Sequence, residues 1–113
     1  MNYAIVTTKD FDREVKFLAK KYRSIFDDLE SFKEELLKNP TMGDLISENT
    51  RKVRMAIASK NKGKSSGARV ITVNLLVDVE STKIYLIAIY DKSEQESITA
   101  KEVQTLKQIN GLL

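Results

Sequence analysis

An α+β domain is predicted by two changes of pattern along the 113 residues and by one capping motif. From Phe11 to Leu36 apolar residues recur at helical spacing, whereas from Arg51 to Tyr90 they alternate or run on almost without interruption. A capping box near the C-terminus then restores helical chemistry. The predicted order is β-α-α-β-β-β-α. It describes one domain over residues 1–113, a small antiparallel sheet made of an N-terminal strand plus a three-stranded meander. A helix pair lies on one face with a short C-terminal helix after it, the helices packed on one side of the sheet.

Tyr3 to Thr7 is a short β-branched run and reads as a first or edge strand. Thr8 and Asp10 supply N-cap chemistry, and Phe11, Val15, Leu18 and Tyr22 form one helical stripe at i, i+4, i+7 and i+11. Ile25, Leu29, Phe32 and Leu36 repeat that spacing after a short break, with Ser24 and Asp27 as a variant capping box and Asn39-Pro40 as the stop. Arg51 to Ser59 alternates, placing Val53, Met55 and Ile57 on one side and Lys52 and Arg54 on the other. Arg69 to Val79 is β-branched and nearly continuous, as in a central strand buried on both faces. Ser81-Thr82 reads as a tight turn and Lys83 to Tyr90 as the third strand of the meander. Thr99-Ala100-Lys101-Glu102 fits a capping box, and Val103, Leu106, Lys107 and Ile109 carry the final helix.

Cysteine and histidine are both absent. Disulfides, thiolate nucleophiles, Cys or His metal sites and histidine-based triads are therefore excluded. No apolar stretch is long enough to span a bilayer and no signal peptide is evident, so a cytoplasmic location and no membrane partner are expected. The net charge is +3, but it is unevenly placed. Lys9 to Lys38 holds eight basic and eight acidic residues, whereas Asn49 to Val77 holds seven basic residues and no acid. Such a block suits a polyanionic partner; its plain alternative is a solvated basic loop.

The centre of that block is Ser59-Lys60-Asn61-Lys62-Gly63-Lys64-Ser65-Ser66-Gly67. Its lysines suit phosphate as point charges, and its glycines permit close approach of backbone amides. Gly63-Lys64-Ser65 is not a P-loop. Ala58 stands where the upstream glycine belongs, and a strand rather than a helix follows.

Three segments together resemble the RelE/HigB branch of the RelE/ParE toxin superfamily. They are Lys52-Val53-Arg54, Asn61 to Ile71, and Ile87 to Glu96. These match a K-x-R strand, a G-K-G-K-S-G-G-x-R-V-I loop and strand, and an I-Y-x-K-x-E-x-E strand end. Asn61 and Ser66 depart from the pattern, standing where glycine is common. The predicted element order agrees with that family's along the whole chain.

The resemblance implies the toxin of a type II toxin–antitoxin system, a metal-independent and cofactor-free endoribonuclease that cuts mRNA on the 70S ribosome. Its partners would be mRNA, the ribosome and a cognate antitoxin encoded by the adjacent gene. It implies catalytic roles for Arg69, Lys64, Lys62 and Tyr90, and RNA contacts by Arg54, Lys52, Lys60 and Lys92. Cleavage by 2′-hydroxyl attack needs a base, in-line geometry and neutralised phosphorane charge, which lysines and arginines can supply without histidine or metal. Structural roles compete at each position: Arg69 in an ion pair with Asp91 or Glu94, Tyr90 in core packing, the lysines in solvent. The Tyr3 strand, the helix pair and Leu112-Leu113 are candidate antitoxin contacts. A gyrase inhibitor of the ParE kind and an inactive nucleic-acid-binding relative are the alternative functions.

Overall fold

The computed structural model describes residues 1–61 and 63–113. The elements are β1 (Asn2–Thr7), α1 (Lys9–Lys21), α2 (Ile25–Lys38), β2 (Asp44–Ser47), β3 (Thr50–Met55), β4 (Ala68–Asp78), β5 (Ser81–Asp91) and α3 (Ala100–Ile109). Single 3-10 turns occupy Ala58–Lys60 and Lys64–Ser66. The protein is α+β, with one sheet in the order β1-β5-β4-β3-β2.

The helices form where the stripes place them. Thr8 caps α1 by accepting from Phe11 N, and its hydroxyl donates to Leu86 O, tying the helix start to β5. Asp10 and Asp12 lie in the first turn and Lys20 and Lys21 in the last, each sign opposing the helix dipole. Phe11, Val15, Leu18, Ile25, Leu29, Phe32 and Leu36 are all buried. They close a core against Val53, Met55, Ile57, Val70, Ile84, Leu86 and Ile89 on one sheet face. Thr99 and Glu102 complete the capping box of α3 in both directions.

Other features differ from the sequence expectation. The meander β3-β4-β5 is antiparallel, but β1 runs parallel to β5, which makes the sheet mixed. A fifth strand, β2, hairpins onto β3 through Asn49, whose left-handed φ of 56° suits asparagine. Leu45 and Ile46 of β2 are both exposed, so no alternation marked that strand. Gly43 precedes it at φ 91°, where a Cβ would meet the Lys52 carbonyl and the Val53 side chain.

The strand expected to reach Ser59 ends at Met55 and gives way to a 3-10 turn. The long run of β4 is buried on both faces only from Ala68 to Val73; its outer half is exposed. The β4–β5 turn is at Val79-Glu80, not Ser81-Thr82, because Asp78 pairs with Ser81. Ser24 starts α2 without capping it through its side chain.

α3 packs on the sheet face opposite α1 and α2. There Val103 joins Ile71, Val73, Ile87 and Ala88 in a second, smaller core. A bulge explains why consecutive residues share that face. Ile71 pairs with Ala88 and Thr72 with Leu86, leaving Ile87 as the extra residue. Lys107 pins the helix by donating from a buried ammonium to Glu48 O and Thr50 Oγ1. No helix among the described residues is long and apolar enough to cross a membrane.

Candidate functional site

The basic loop between β3 and β4 is clamped at several points. Asp28 near the start of α2 accepts from Ala58 N with both oxygens, and Ser24 Oγ accepts from Ser59 N. The helix start therefore serves the loop, and Ser24, whose backbone is already helical and whose hydroxyl donates to Asp28, does not cap α2. Lys60 Nζ donates to Ser66 O, to Asp91 Oδ1 and to Ser93 Oγ, joining the two ends of the loop to the end of β5. Lys92 N donates to Gly67 O. Gly67 presses against β3 so closely that a Cβ would collide with the Met55 carbonyl.

Lys60 thus has a place other than the expected RNA contact. Its ammonium is nearly buried against Asp91 and takes up a fixed structural position. Tyr22 Oη donates to the other oxygen of Asp91, and Lys21 pairs with Glu94 at the rim. The ion pair considered for Arg69 with Asp91 or Glu94 does not form, because Lys60 and Lys21 occupy those carboxylates.

Arg69 is 7% exposed. Its guanidinium donates to Lys64 O, Ala68 O and Ser65 O at 3.3, 3.3 and 3.0 Å. All three partners are neutral carbonyls, and no carboxylate pairs with it among the described residues. A buried charge is costly unless paired, and here the fork is fixed in place while its charge stays uncompensated.

Strand register sets Arg69 between Arg54 on β3 and Tyr90 on β5, as direct cross-strand partners on one sheet face. Tyr90 is 6% exposed and its hydroxyl, wholly buried, has no hydrogen-bond partner among the described residues. Burial pushes its phenol above the ordinary 10.0, while the Arg69 charge and the neighbouring Ser97 hydroxyl pull the other way. Tyr90 is therefore a neutral donor at physiological pH beside a fixed cation. Arg54 is exposed, since β2 pairs with β3 only as far as Lys52.

The remaining cations line several concavities, of which two gather more than one side of the basic loop. Lys52, Arg54 and Lys64 line one of about 380 Å³, together with Glu35 and Asp44. Lys64 Nζ sits 2.8 Å from Glu35 Oε1 in an exposed pair, an arrangement of little net strength. Lys60 and Lys92 line a second concavity of about 410 Å³. Lys92 reaches Glu96, at 2.9 Å to its carbonyl and 3.6 Å to its carboxylate. Arg69 lines neither concavity, but it bonds the carbonyls of Lys64, which lines the first, and Ser65, which lines the second. Lys62 lies outside the described residues.

Sequence reasoning missed Tyr22, Ser24, Asp28 and Glu35 as parts of this site. No local signal marks them, because each acts across roughly 30 or more residues of sequence. No three metal-ligating side chains converge among the described residues. The region combines a buried guanidinium, exposed cations and several hydroxyls with the carboxylates of Glu35, Asp44, Asp91 and Glu96, while Tyr90 itself lines a further concavity with Asp10, Glu14 and Glu102. No protein-family model matches the chain.

Proposed function

We propose that the chain is a RelE/HigB-like toxin, a ribosome-dependent endoribonuclease neutralised by a cognate antitoxin. The observation that carries the reading is Arg69, a buried guanidinium held by three carbonyls, without a carboxylate partner among the described residues, and adjacent to the unpartnered hydroxyl of Tyr90. The sequence motifs described above supply the class.

In this reading the 2′-hydroxyl of the RNA attacks the adjacent phosphorus. The 2′-O–P bond forms, the P–O5′ bond breaks, and a 2′,3′-cyclic phosphate and a 5′-hydroxyl result. Arg69 neutralises the phosphorane, and its pre-ordered fork pays no reorganisation cost at that moment. Tyr90, kept protonated by burial, is the donor to the leaving 5′-oxygen once RNA binding uncovers its hydroxyl, which is buried in the free protein. Arg54 and Lys52 hold flanking phosphates in the adjoining groove, with Lys64 once RNA displaces Glu35. Lys62 is the candidate for the base that takes the 2′-proton.

Induced expression tests the proposal. Growth should stop, translation should fall first, and transcripts should be cut inside translated frames; co-expression of the protein encoded beside it should restore growth. Early arrest of DNA synthesis with intact mRNA would instead favour a gyrase inhibitor. Harmless accumulation of folded protein would sink the toxin reading.

A further inference from the structure

The second concavity is not explained by the scissile-phosphate chemistry. It measures about 410 Å³ and is lined by Tyr22, Lys60, Ser65, Ser66, Lys92 and Ser93. Its residues come from the end of α1, both arms of the basic loop and the segment after β5.

The floor is rigid. Lys60, Asp91, Tyr22 and Ser93 form one hydrogen-bonded unit, with Lys60 Nζ 2.6 Å from Asp91 Oδ1 and Tyr22 Oη 2.5 Å from Asp91 Oδ2. This unit fixes the Tyr22 ring, which is partly packed on the core and which the Lys60 and Lys21 ammonium groups approach to 5.1 and 5.3 Å from its centroid. The walls are different. The hydroxyls of Ser65 and Ser66 take part in no hydrogen bond among the described residues. Among the described residues Lys92 is held only by Glu96, at the solvent-exposed rim. Asp91 balances the charge of Lys60, so Lys92 is the exchangeable cation of the pocket.

We propose that this pocket binds one nucleotide of single-stranded RNA next to the cleavage position, its phosphate on Lys92 and the serine hydroxyls and its base against the Tyr22 ring. The volume lies within the ~300–1,000 Å³ of small-ligand pockets and far exceeds what an inorganic anion fills. An aromatic wall beside a cation and hydroxyl donors matches the way single-stranded nucleic acid is held, by stacking plus backbone contacts. The inference relies on the ribonuclease reading for the source of the nucleotide, but the pocket's own chemistry can be tested without it.

The test is a two-dimensional NMR titration of the intact labelled protein with adenosine 5′-monophosphate and, separately, with inorganic phosphate. Adenosine monophosphate should shift the amides of Ser65, Ser66, Lys92 and Ser93 in a saturable manner and bind at least tenfold more tightly than phosphate. Lys92→Ala should weaken both ligands. Tyr22→Leu should weaken the nucleotide while sparing phosphate, and Tyr22→Phe should retain most nucleotide affinity. Equal affinity for the two ligands, or shifts confined to residues outside the pocket, would overturn the proposal. Because neither probe contains a scissile phosphodiester, growth arrest without nucleotide binding removes the pocket and leaves the toxin reading. Nucleotide binding by a harmless protein does the reverse.

Discussion

Lys60 Nζ lies 2.6 Å from Asp91 Oδ1, with 10% and 1% of the two side chains exposed. The pair joins the first turn of the basic loop to the end of β5, and the same ammonium reaches Ser66 O at the loop's far end. One lysine thus closes the loop that carries the candidate chemistry. Replacing Lys60 by Met takes the nearest cation from a buried carboxylate, leaving it Lys21 at 4.0 Å and the Tyr22 and Ser93 donors, and should cost about 3 kcal/mol in urea unfolding. The Lys60→Met/Asp91→Leu double variant should recover much of that loss. A single-variant cost below about 1 kcal/mol, the range of exposed pairs, is incompatible with a buried clasp.

The same carboxylate sets an acid limit. Burial alone would raise the Asp91 carboxyl, but the Lys60 ammonium, the Tyr22 hydroxyl and the Ser93 donors outweigh it and hold the group well below the ordinary 3.8. A depressed folded value means the contribution is complete above the unfolded value and is lost as pH falls towards the folded one. Stability measured from about pH 5 downward should therefore fall more steeply for the parent than for Asp91→Asn. Parallel pH profiles would remove Asp91 from this role.

Arg69→Ala should reduce mRNA cleavage by about 10²–10³, the usual effect of losing a pre-organised charge donor. The carbonyls it releases belong largely to the exposed residues Lys64 and Ser65, so the stability loss should stay near about 1 kcal/mol. Arg69→Lys keeps the charge but not the fork, and should remain impaired. A folded Arg69→Ala protein that cleaves at the parent's rate excludes Arg69 from the site.

Tyr90→Phe separates chemistry from packing. The hydroxyl is buried without a partner, so its removal should leave stability unchanged or raise it by up to about 1 kcal/mol. Cleavage should fall by about 10²–10⁴ if the phenol protonates the leaving oxygen. Ultraviolet titration of the parent should show Tyr90 ionising above the ordinary 10.0, a step that the Phe variant lacks. Since the raised value favours the neutral form in the fold, this contribution is present below pH 10.0 and lost as the pH rises through the folded value.

Gly67→Ala should destabilise the protein by about 1–3 kcal/mol, because the added carbon meets the Met55 carbonyl and the strand must move. Gly63→Ala meets nothing within 4 Å, although it must adopt φ 72°. Thermal melts of the two variants separate crowding from backbone strain, and a Gly67→Ala melt equal to the parent's would show that β3 yields freely.

The helix pair, the meander and α3 were legible in the sequence because their causes are local. Phe11, Val15 and Leu18 announce a helix by spacing, and Thr99 and Glu102 announce a cap by chemistry. β2 was illegible because Leu45 and Ile46 face solvent and only the hairpin with β3 orders them. The direction of β1 and the face taken by α3 depend on neighbours far along the chain, so no local pattern encodes them. For the candidate site, the segregated charge and the row of motif residues marked the region but not the duties within it.

The sequence by itself determined the α+β class, the helical and strand periods, the absence of histidine and cysteine chemistry, and the concentration of positive charge between Asn49 and Val77. Tertiary structure alone decided what each cation does. Lys60 meets Asp91 across 31 residues and Lys64 meets Glu35 across 29, whereas Arg69 donates only to carbonyls among the described residues. Composition lists charges, but burial and distance determine which charge is matched. Those quantities exist only after residues remote in sequence are packed together.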